Sequence, residues 1–253
     1  MIPFREEFDI PYYPDTTGHS EHQRQRCRLD LRCPQKAGFP SLVWFHGGGF
    51  TGEEKSFPHL PEAELGVVAA GYRLTPEAGA DDILADAAAA VAWTLRNIAD
   101  YGGDPRKVFV AGYSAGGYLA AMLGMNPRWL EDQECSPDHL RGIIALSAHM
   151  ATHFTFKELH KTHEGLFRPY IDEYAPLYYV SKDCLPVCLI TGDRTLDIPC
   201  RVEENELMAA SLRALEHPHV EFYEMKGLDH QTIQLGGPIL ILGFIAKCLA
   251  LFC

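Results

Sequence analysis

The stretch KVFVAGYSAGGYLAAML, residues 107–123, decides the fold that we predict for this chain. Its first part is a short apolar run typical of a buried strand, and its last part, YLAAML, favours a helix. Between them, residues 112–116 (GYSAG) have the pattern G-x-S-x-G. The two glycines allow strand and helix to approach closely around a sharp turn. Such a turn exposes the hydroxyl of Ser114 at the end of the strand, which makes Ser114 a candidate nucleophile.

Apolar runs and helical stretches alternate along most of the chain. Besides residues 107–112, the strand candidates are 41–45 (SLVWF), 65–70 (LGVVAA), 142–148 (GIIALSA), 187–191 (VCLIT) and 220–225 (VEFYEM). The helix candidates are 82–99, 115–125, 201–216 and 238–252. Continuous apolar strands that alternate with helices predict an α/β fold, in which a mostly parallel central sheet carries helices on both faces. Ligands of such sheets bind at the carboxyl ends of the strands, so the loops that follow the strands are where we expect the chemistry.

The chain length is compatible with one domain. Folds of the α/β class often reach about 250 residues, and no Pro/Gly/Ser linker divides these 253 residues. We therefore predict a single domain over residues 1–253. The long stretch between the strand candidates that end at 148 and begin at 187 predicts a small cap-like insertion at about residues 150–186.

Composition excludes some classes of partner. The formal net charge is −12, from 34 acidic and 22 basic residues, and such a chain without basic clusters is a poor candidate for binding nucleic acid or anionic membranes. The first ten residues, MIPFREEFDI, carry acids and no apolar core, so we expect no signal peptide and a cytoplasmic protein, unless a leader was removed. The apolar end, residues 238–253, is shorter than the roughly 20 residues of a membrane span and predicts a buried helix.

A serine hydroxyl needs a neighbouring base to act as a nucleophile near neutral pH. When a G-x-S-x-G turn carries the serine, an acid and then a histidine follow later in the chain. His230 is the predicted base, because it follows the last strand candidate and precedes the closing helix. The acid should follow VCLIT, where Asp193 and Asp197 both qualify. Asp193 is slightly preferred because it lies at the end of the strand, whereas Asp197 could equally be an N-cap.

The sequence HGGGF, residues 46–50, directly follows the strand candidate SLVWF. Attack on an ester carbonyl creates an oxyanion that preorganised N–H groups must stabilise. A glycine loop without side chains lets a carbonyl oxygen reach the backbone. We predict the N–H groups of Gly48 and Gly49, together with that of Ala115 after the nucleophile, as the oxyanion donors. His46 is predicted to be structural and not the base.

Several motifs together resemble a known family. HGGGF, YRLTPE (72–77), DAAAAVAW (86–93), residues 101–123 and GLDH (227–230) resemble the hormone-sensitive-lipase-like branch of the α/β-hydrolases. The motifs TGEEK, SAHMATHF, IDEYAPLYYV and TGDRTLDIPCRVEENE are similar, in more detail, to bacterial carbohydrate-associated acetyl and feruloyl esterases. The resemblance covers roughly residues 40–235 and implies ester hydrolysis by a Ser-Asp-His triad without a cofactor. The usual GDRE of that group is GDRT here, which leaves the acid open between Asp193 and Asp197.

The sequence therefore predicts a serine carboxylester hydrolase for small esters, such as acetylated sugars or feruloyl and aryl esters. An amidase, peptidase or formylkynurenine-type hydrolase on the same fold is the alternative, and a non-catalytic binding protein is a third. The i, i+4 pair His149 and His153 could bind zinc on a helix, but no third ligand is evident, and we expect ordinary residues of the insertion and no metal. The expected partner is a small ester; the sequence leaves the oligomeric state undetermined.

Overall fold

The sheet that the sequence predicts is present in a computed structural model, which describes residues 2–14, 18–161 and 165–251. Among these residues, eight strands form one sheet in the spatial order β1-β2-β4-β3-β5-β6-β7-β8. The strands are β1 Phe4–Pro11, β2 Arg28–Pro34, β3 Phe39–Phe45, β4 Gly66–Ala70, β5 Gly103–Tyr113, β6 Leu140–Leu146, β7 Val187–Thr191 and β8 Val220–Glu224. The strands β3 to β8 pair in parallel, which confirms the predicted α/β class.

The sequence patterns did not reveal the first two strands. β1 pairs antiparallel with β2, and β2 pairs antiparallel with β4, so the two strands extend one edge of the parallel sheet. β1 has the sequence FREEFDIP and no buried residue, because it is an edge strand with solvent on one side. A charged edge strand lacks the continuous apolar run that marks the central strands of a parallel sheet.

Helices cover the sheet as the sequence predicts. The longer ones are α2 Ala80–Asn97, α3 Ala115–Met125, α6 Arg201–Ala214 and α8 Pro238–Leu251, and the shorter ones are α1 Glu21–Arg26, α4 Arg128–Glu131, α5 Phe154–Leu159 and α7 Ile233–Gly236. Every residue of α3 is buried, since this helix leaves the end of β5 and lies against the sheet. Only about a third of α8 is buried, so the prediction of a buried C-terminal helix is wrong for most of its residues, because one face of the helix packs inward and the rest is open to solvent. Among the described residues, no helix has both the length and the apolar character to cross a bilayer.

The pairing of the parallel strands brings the loops that carry the candidate residues to one edge of the sheet. Phe45 of β3 pairs with Gly112 of β5, so the HGGG loop begins beside Ser114. β6 and β7 follow β5 in the sheet, and β8 follows β7. The loops after β3, β5, β6, β7 and β8 therefore meet in this spatial order at the carboxyl ends of the strands.

The segment between β6 and β7 corresponds to the predicted insertion at about residues 150–186. Its described part contains α5 and a single 3₁₀ turn at Pro176–Tyr179. The hydroxyl of Thr155 in α5 donates a 2.7 Å hydrogen bond to the carbonyl of Gly49, so the segment is tied to the HGGG loop. The insertion thus borders the edge of the sheet where the candidate residues lie.

Candidate active site

Ser114 lies on a sharp turn between β5 and α3. Its backbone has φ 54° and ψ −116°, a conformation that a non-glycine residue rarely adopts. Its N–H donates to the carbonyl of Leu146 at 2.8 Å, which ties the turn to the neighbouring strand β6. Residues held in such conformations cluster at functional sites because the surrounding structure must enforce them. The side chain of Ser114 makes no capping hydrogen bond to the helix that the residue starts.

The glycines on either side of Ser114 allow the close approach that the sequence predicts. A Cβ atom on Gly112 would lie 2.3 Å from the carbonyl carbon of Gly116, and one on Gly116 would lie 2.1 Å from the carbonyl oxygen of Phe45. Real Cβ atoms never come so close to backbone atoms. Side chains at these positions would push the helix away from the sheet and displace Ser114.

His230 lies against the nucleophile, on the loop between β8 and α7. Its Nε2 atom is 3.0 Å from Oγ of Ser114. The hydroxyl of Tyr113 donates to the carbonyl of His230 at 2.8 Å, and the two rings are 5.0 Å apart. The residue next to the nucleophile therefore fixes the loop that carries the histidine.

Asp197 is the carboxylate that meets His230. Its Oδ1 atom lies 2.8 Å from Nδ1 of the imidazole. The backbone N–H groups of Gly192 and Ile198 donate to the same carboxylate at 2.8 and 2.7 Å. Although burial acts to raise the pKa of Asp197, hydrogen bonds from His230, Ser147 and these two N–H groups lower it to about 2. Asp197 is therefore charged at neutral pH and able to orient an imidazole and stabilise an imidazolium.

The preference for Asp193 is wrong in this structure. The carboxylate of Asp193 accepts hydrogen bonds from the N–H and hydroxyl of Thr195 at 2.9 and 2.7 Å, and from the N–H of Gly227 at 3.0 Å. It caps two loops and does not reach His230. The physical reason is one helical turn: the N–H of Asp197 donates to the carbonyl of Asp193 at 2.8 Å. That turn brings the chain back towards the end of β6 and places Asp197 against Nδ1 of His230.

The HGGG loop turns sharply beside the nucleophile. Gly48 has φ +90°, and a Cβ atom there would lie 2.3 Å from the carbonyl oxygen of Gly52. Its own carbonyl accepts the N–H groups of Thr51 and Gly52 at 3.0 and 3.2 Å. Within the described residues, no hydrogen bond uses the N–H of Gly48 or Gly49 as donor. These N–H groups, with that of Ala115 on the adjacent turn, stay the predicted oxyanion donors.

His46 supports this loop from inside the protein. Its ring stacks on Tyr72 with centroids 4.3 Å apart, and its Nδ1 lies 3.0 Å from the carbonyl of Gly47. The Tyr72 hydroxyl donates to the carbonyls of His46 and Gly47 at 2.8 and 3.0 Å. Burial, aided by the charge of Arg26, lowers the pKa of His46 to about 3. A buried neutral histidine that braces the loop matches the predicted structural role.

The i, i+4 pair His149 and His153 packs together beside helix α6. Nδ1 of His149 is 3.1 Å from a carboxylate oxygen of Glu204, and the rings of His149 and His153 are 5.1 Å apart. In the described ranges, no group of three or more histidine, cysteine or acidic side chains could hold a metal ion.

Replacing Gly48 with alanine is expected to reduce kcat about 10²- to 10³-fold, the usual effect of losing one oxyanion donor. The added methyl group would collide with the Gly52 carbonyl and displace the loop that carries the N–H groups. Gly52→Ala is the matched control, because a Cβ atom there meets nothing within 4 Å. Steady-state kinetics on p-nitrophenyl acetate would measure both, and equal rates for the two variants would contradict this role of the loop.

Comparison with known proteins agrees with this fold and geometry. The model of the family described as alpha/beta hydrolase fold matches residues 42–234, so the chain belongs to that family. The chain is 26% identical over 246 residues to Esterase LipQ of Mycobacterium tuberculosis, an alignment that covers 88% of this chain and 56% of the relative. Across the curated relatives, the matched part ranges from about a fifth to just over half of their length.

Solved structures share the fold at low sequence identity. A truncated carbohydrate esterase from gut microbiota superposes with a TM-score of 0.71 at 17% identity, covering 96% of both chains. An inhibited esterase B from Lactobacillus rhamnosis superposes with a TM-score of 0.75 at 17% identity, covering 99% of this chain and 89% of the other. These similarities support the fold, and the esterase activities are those of the two compared proteins.

Proposed function

We propose that this protein is a serine carboxylester hydrolase that acts through an acyl-enzyme. The observation that carries the proposal is a continuous chain of contacts: Oγ of Ser114 is 3.0 Å from Nε2 of His230, and Nδ1 of His230 is 2.8 Å from Asp197. A nucleophile, a base and a group that orients the base are the parts that acyl transfer requires. The esterase relatives support the same reaction type.

In the acylation step, Oγ of Ser114 attacks the ester carbonyl carbon while Nε2 of His230 takes the hydroxyl proton. The charge that forms on the carbonyl oxygen is stabilised by the N–H groups of Gly48, Gly49 and Ala115. The tetrahedral intermediate then collapses. The bond to the leaving alkoxide breaks, and the alkoxide receives the proton from Nε2.

Deacylation repeats these steps with water. The water oxygen attacks the carbonyl carbon of the acyl-enzyme while His230 takes one proton from the water. His230 then gives this proton to Oγ of Ser114 as the carboxylic acid leaves. Asp197 keeps Nδ1 of His230 protonated and stays ionised throughout. No step in this sequence calls on a cofactor.

Phe154 supports a preference for short acyl groups. This half-buried side chain opens α5, and its ring edge lies 3.6 Å from where a Cβ atom of Gly49 would be. The bond from Thr155 to Gly49 fixes α5 against the loop. An aromatic ring held beside the predicted oxyanion donors leaves little room for a long acyl chain. The resemblance to carbohydrate-associated esterases makes acetylated sugars the favoured natural substrates.

Stopped-flow hydrolysis of p-nitrophenyl acetate tests the proposal. We expect a burst of p-nitrophenol about equal to the enzyme concentration, or steady turnover with an acetyl group trapped on Ser114 and detected by mass spectrometry. Matched amide substrates, including a formylated aniline, would reveal an amidase. Turnover of amides but not esters would favour the alternative reaction, and no reaction with either would indicate a binding protein.

Replacing Phe154 with alanine is expected to raise kcat/KM for p-nitrophenyl hexanoate about tenfold relative to the acetate, since each methylene that a pocket admits is worth about 10- to 200-fold. Phe8→Ala is the control, because Phe8 is 59% exposed on the edge strand β1. The measurement is the ratio of the two kcat/KM values. An unchanged ratio in Phe154→Ala would exclude Phe154 as a wall of the acyl pocket.

A further inference from the structure

A second serine lies inside the candidate site. Ser147 directly follows β6, and β6 is the neighbour of β5, the strand that Ser114 follows. It is fully buried, and its hydroxyl oxygen is 2.8 and 2.7 Å from the two carboxylate oxygens of Asp197. The same oxygen is 2.8 Å from Nδ1 of His230. One hydroxyl therefore touches both members of the acid–base pair.

The backbone of Ser147 is held in an unfavourable conformation. Its φ is 45°, in the left-handed region that non-glycine residues seldom adopt. Its N–H donates to the carbonyl of Ile190 at 2.7 Å, and its carbonyl accepts from Nη1 of Arg201 at 2.6 Å. Strain of this kind persists only where the surroundings enforce it.

Helix α6 supplies most of this support. The side-chain amide of Asn205 donates to the carbonyl of Ala148 at 2.7 Å. The carboxylate of Glu204 accepts the N–H groups of Met150 and Ala151 at 2.8 and 3.1 Å. Glu204 and Asn205 of the sequence EEN (residues 203–205) thus hold the loop that begins at Ser147, which gives these two residues a structural role.

Arg201 supports the loop although its burial is costly. The side chain is fully buried, and within the described residues its Nε and Nη2 atoms have no hydrogen-bond partner. An incompletely paired buried charge is expensive, and apolar packing would often serve stability better. The one bond that the guanidinium donates to another described residue goes to the carbonyl of Ser147. The arrangement is therefore better suited to orienting Ser147 than to stabilising the fold.

We propose that Ser147 is a positioning residue of the active site, whose hydroxyl donates to Asp197 and holds the carboxylate against Nδ1 of His230. This inference rests on the proposed serine hydrolase mechanism. The hydroxyl holds the carboxylate in the plane of the imidazole, and its donation to both carboxylate oxygens moderates the attraction of Asp197 for the Nδ1–H. Nε2 of His230 is thereby kept pointed at Ser114.

Other charged and titratable groups also face this cluster. Arg201 and Glu204 approach from α6, and Tyr113 approaches from the end of β5. The hydroxyl donor helps to hold the pKa of Asp197 low, together with the larger contribution of His230 and against the effect of burial. Without this donor, the carboxylate attracts the imidazole proton more strongly. The acid limb of the pH–rate profile should then move to higher pH.

The test compares Ser147→Ala and Ser147→Gly with the wild type on p-nitrophenyl acetate. Losing a hydrogen bond to a charged group predicts a kcat lower by about 10- to 100-fold, with KM changed less than about threefold. The acid limb of kcat should move to higher pH in both variants. Glycine tolerates positive φ, so Ser147→Gly should be as slow as Ser147→Ala even if it is the more stable of the two.

Ser41→Ala is the matched control, because Ser41 is also buried and its hydroxyl has no partner within the described residues. It should have wild-type kinetics. Wild-type kcat and an unmoved pH profile in the two Ser147 variants would overturn the inference, and so would a loss of kcat with an unmoved profile, which would indicate a structural role alone. Absence of hydrolysis by the wild type would instead refute the proposed function.

Discussion

Alanine in place of Ser114 is expected to reduce kcat for p-nitrophenyl acetate by about 10⁴- to 10⁶-fold, the range found when a triad nucleophile is removed. Among the described residues, Ser114 is the one whose hydroxyl contacts Nε2 of His230, at 3.0 Å, and the strained turn presents it there. The burst of p-nitrophenol should disappear together with acetylation of the protein.

Thermal unfolding of Ser114→Ala supplies the necessary control. The side chain is buried and makes no capping hydrogen bond to α3, so its loss should leave the melting temperature within a few degrees of the wild type. A correctly folded variant that keeps more than a tenth of the wild-type rate would exclude Ser114 as the nucleophile.

Asp197→Asn is expected to reduce kcat by about 10⁴-fold, because an amide no longer holds the imidazole in the tautomer that accepts a proton at Nε2. Asp193→Asn is the matched control. It removes the same charge one helical turn earlier, where the carboxylate bonds only to loop groups of Thr195 and Gly227. That variant should retain kcat within about threefold. Equal losses in the two variants would contradict the assignment of Asp197.

The Asp197 variant should also show a change in stability that depends on pH. Hydrogen bonds that outweigh the effect of burial lower the pKa of Asp197 from 3.8 to about 2. A lowered pKa stabilises the folded state above about pH 4, and this contribution is lost as the pH falls towards 2. The loss in Asp197→Asn should therefore be at most about 2 kcal/mol at pH 7 and should shrink below pH 4. Urea unfolding at several pH values would measure it.

The sequence predicted most of the fold because the central strands are buried on both faces. VCLIT and the helix of residues 115–125 have the predicted bounds, since continuous apolar character marks both. The edge strand β1 and its neighbour β2 were not predicted. Charged residues on β1 obscure its pattern, and only the paired sheet reveals it as a strand.

For the candidate site, the order of the motifs along the chain was sufficient to predict a residue where only one candidate of the required type stood at the expected position. Ser114 could be predicted from the turn that its neighbouring glycines allow, and His230 could be predicted from its position after the last strand. The structure brings these two together. Chain order could not rank Asp193 against Asp197, because a single helical turn reverses which carboxylate faces the histidine.

Local sequence by itself determined the parallel part of the sheet: apolar runs defined the strands β3 to β8, and glycines allowed the turns that bring β5 and α3 within contact of β3. Only the tertiary structure decided which side chains meet. Ser147 carries no motif of its own, and it enters the site because β6 lies next to β5 and because α6 holds its backbone. Hydrogen bonds between residues distant in sequence depend on positions accurate to a fraction of an ångström, and those positions are set by packing of the whole sheet.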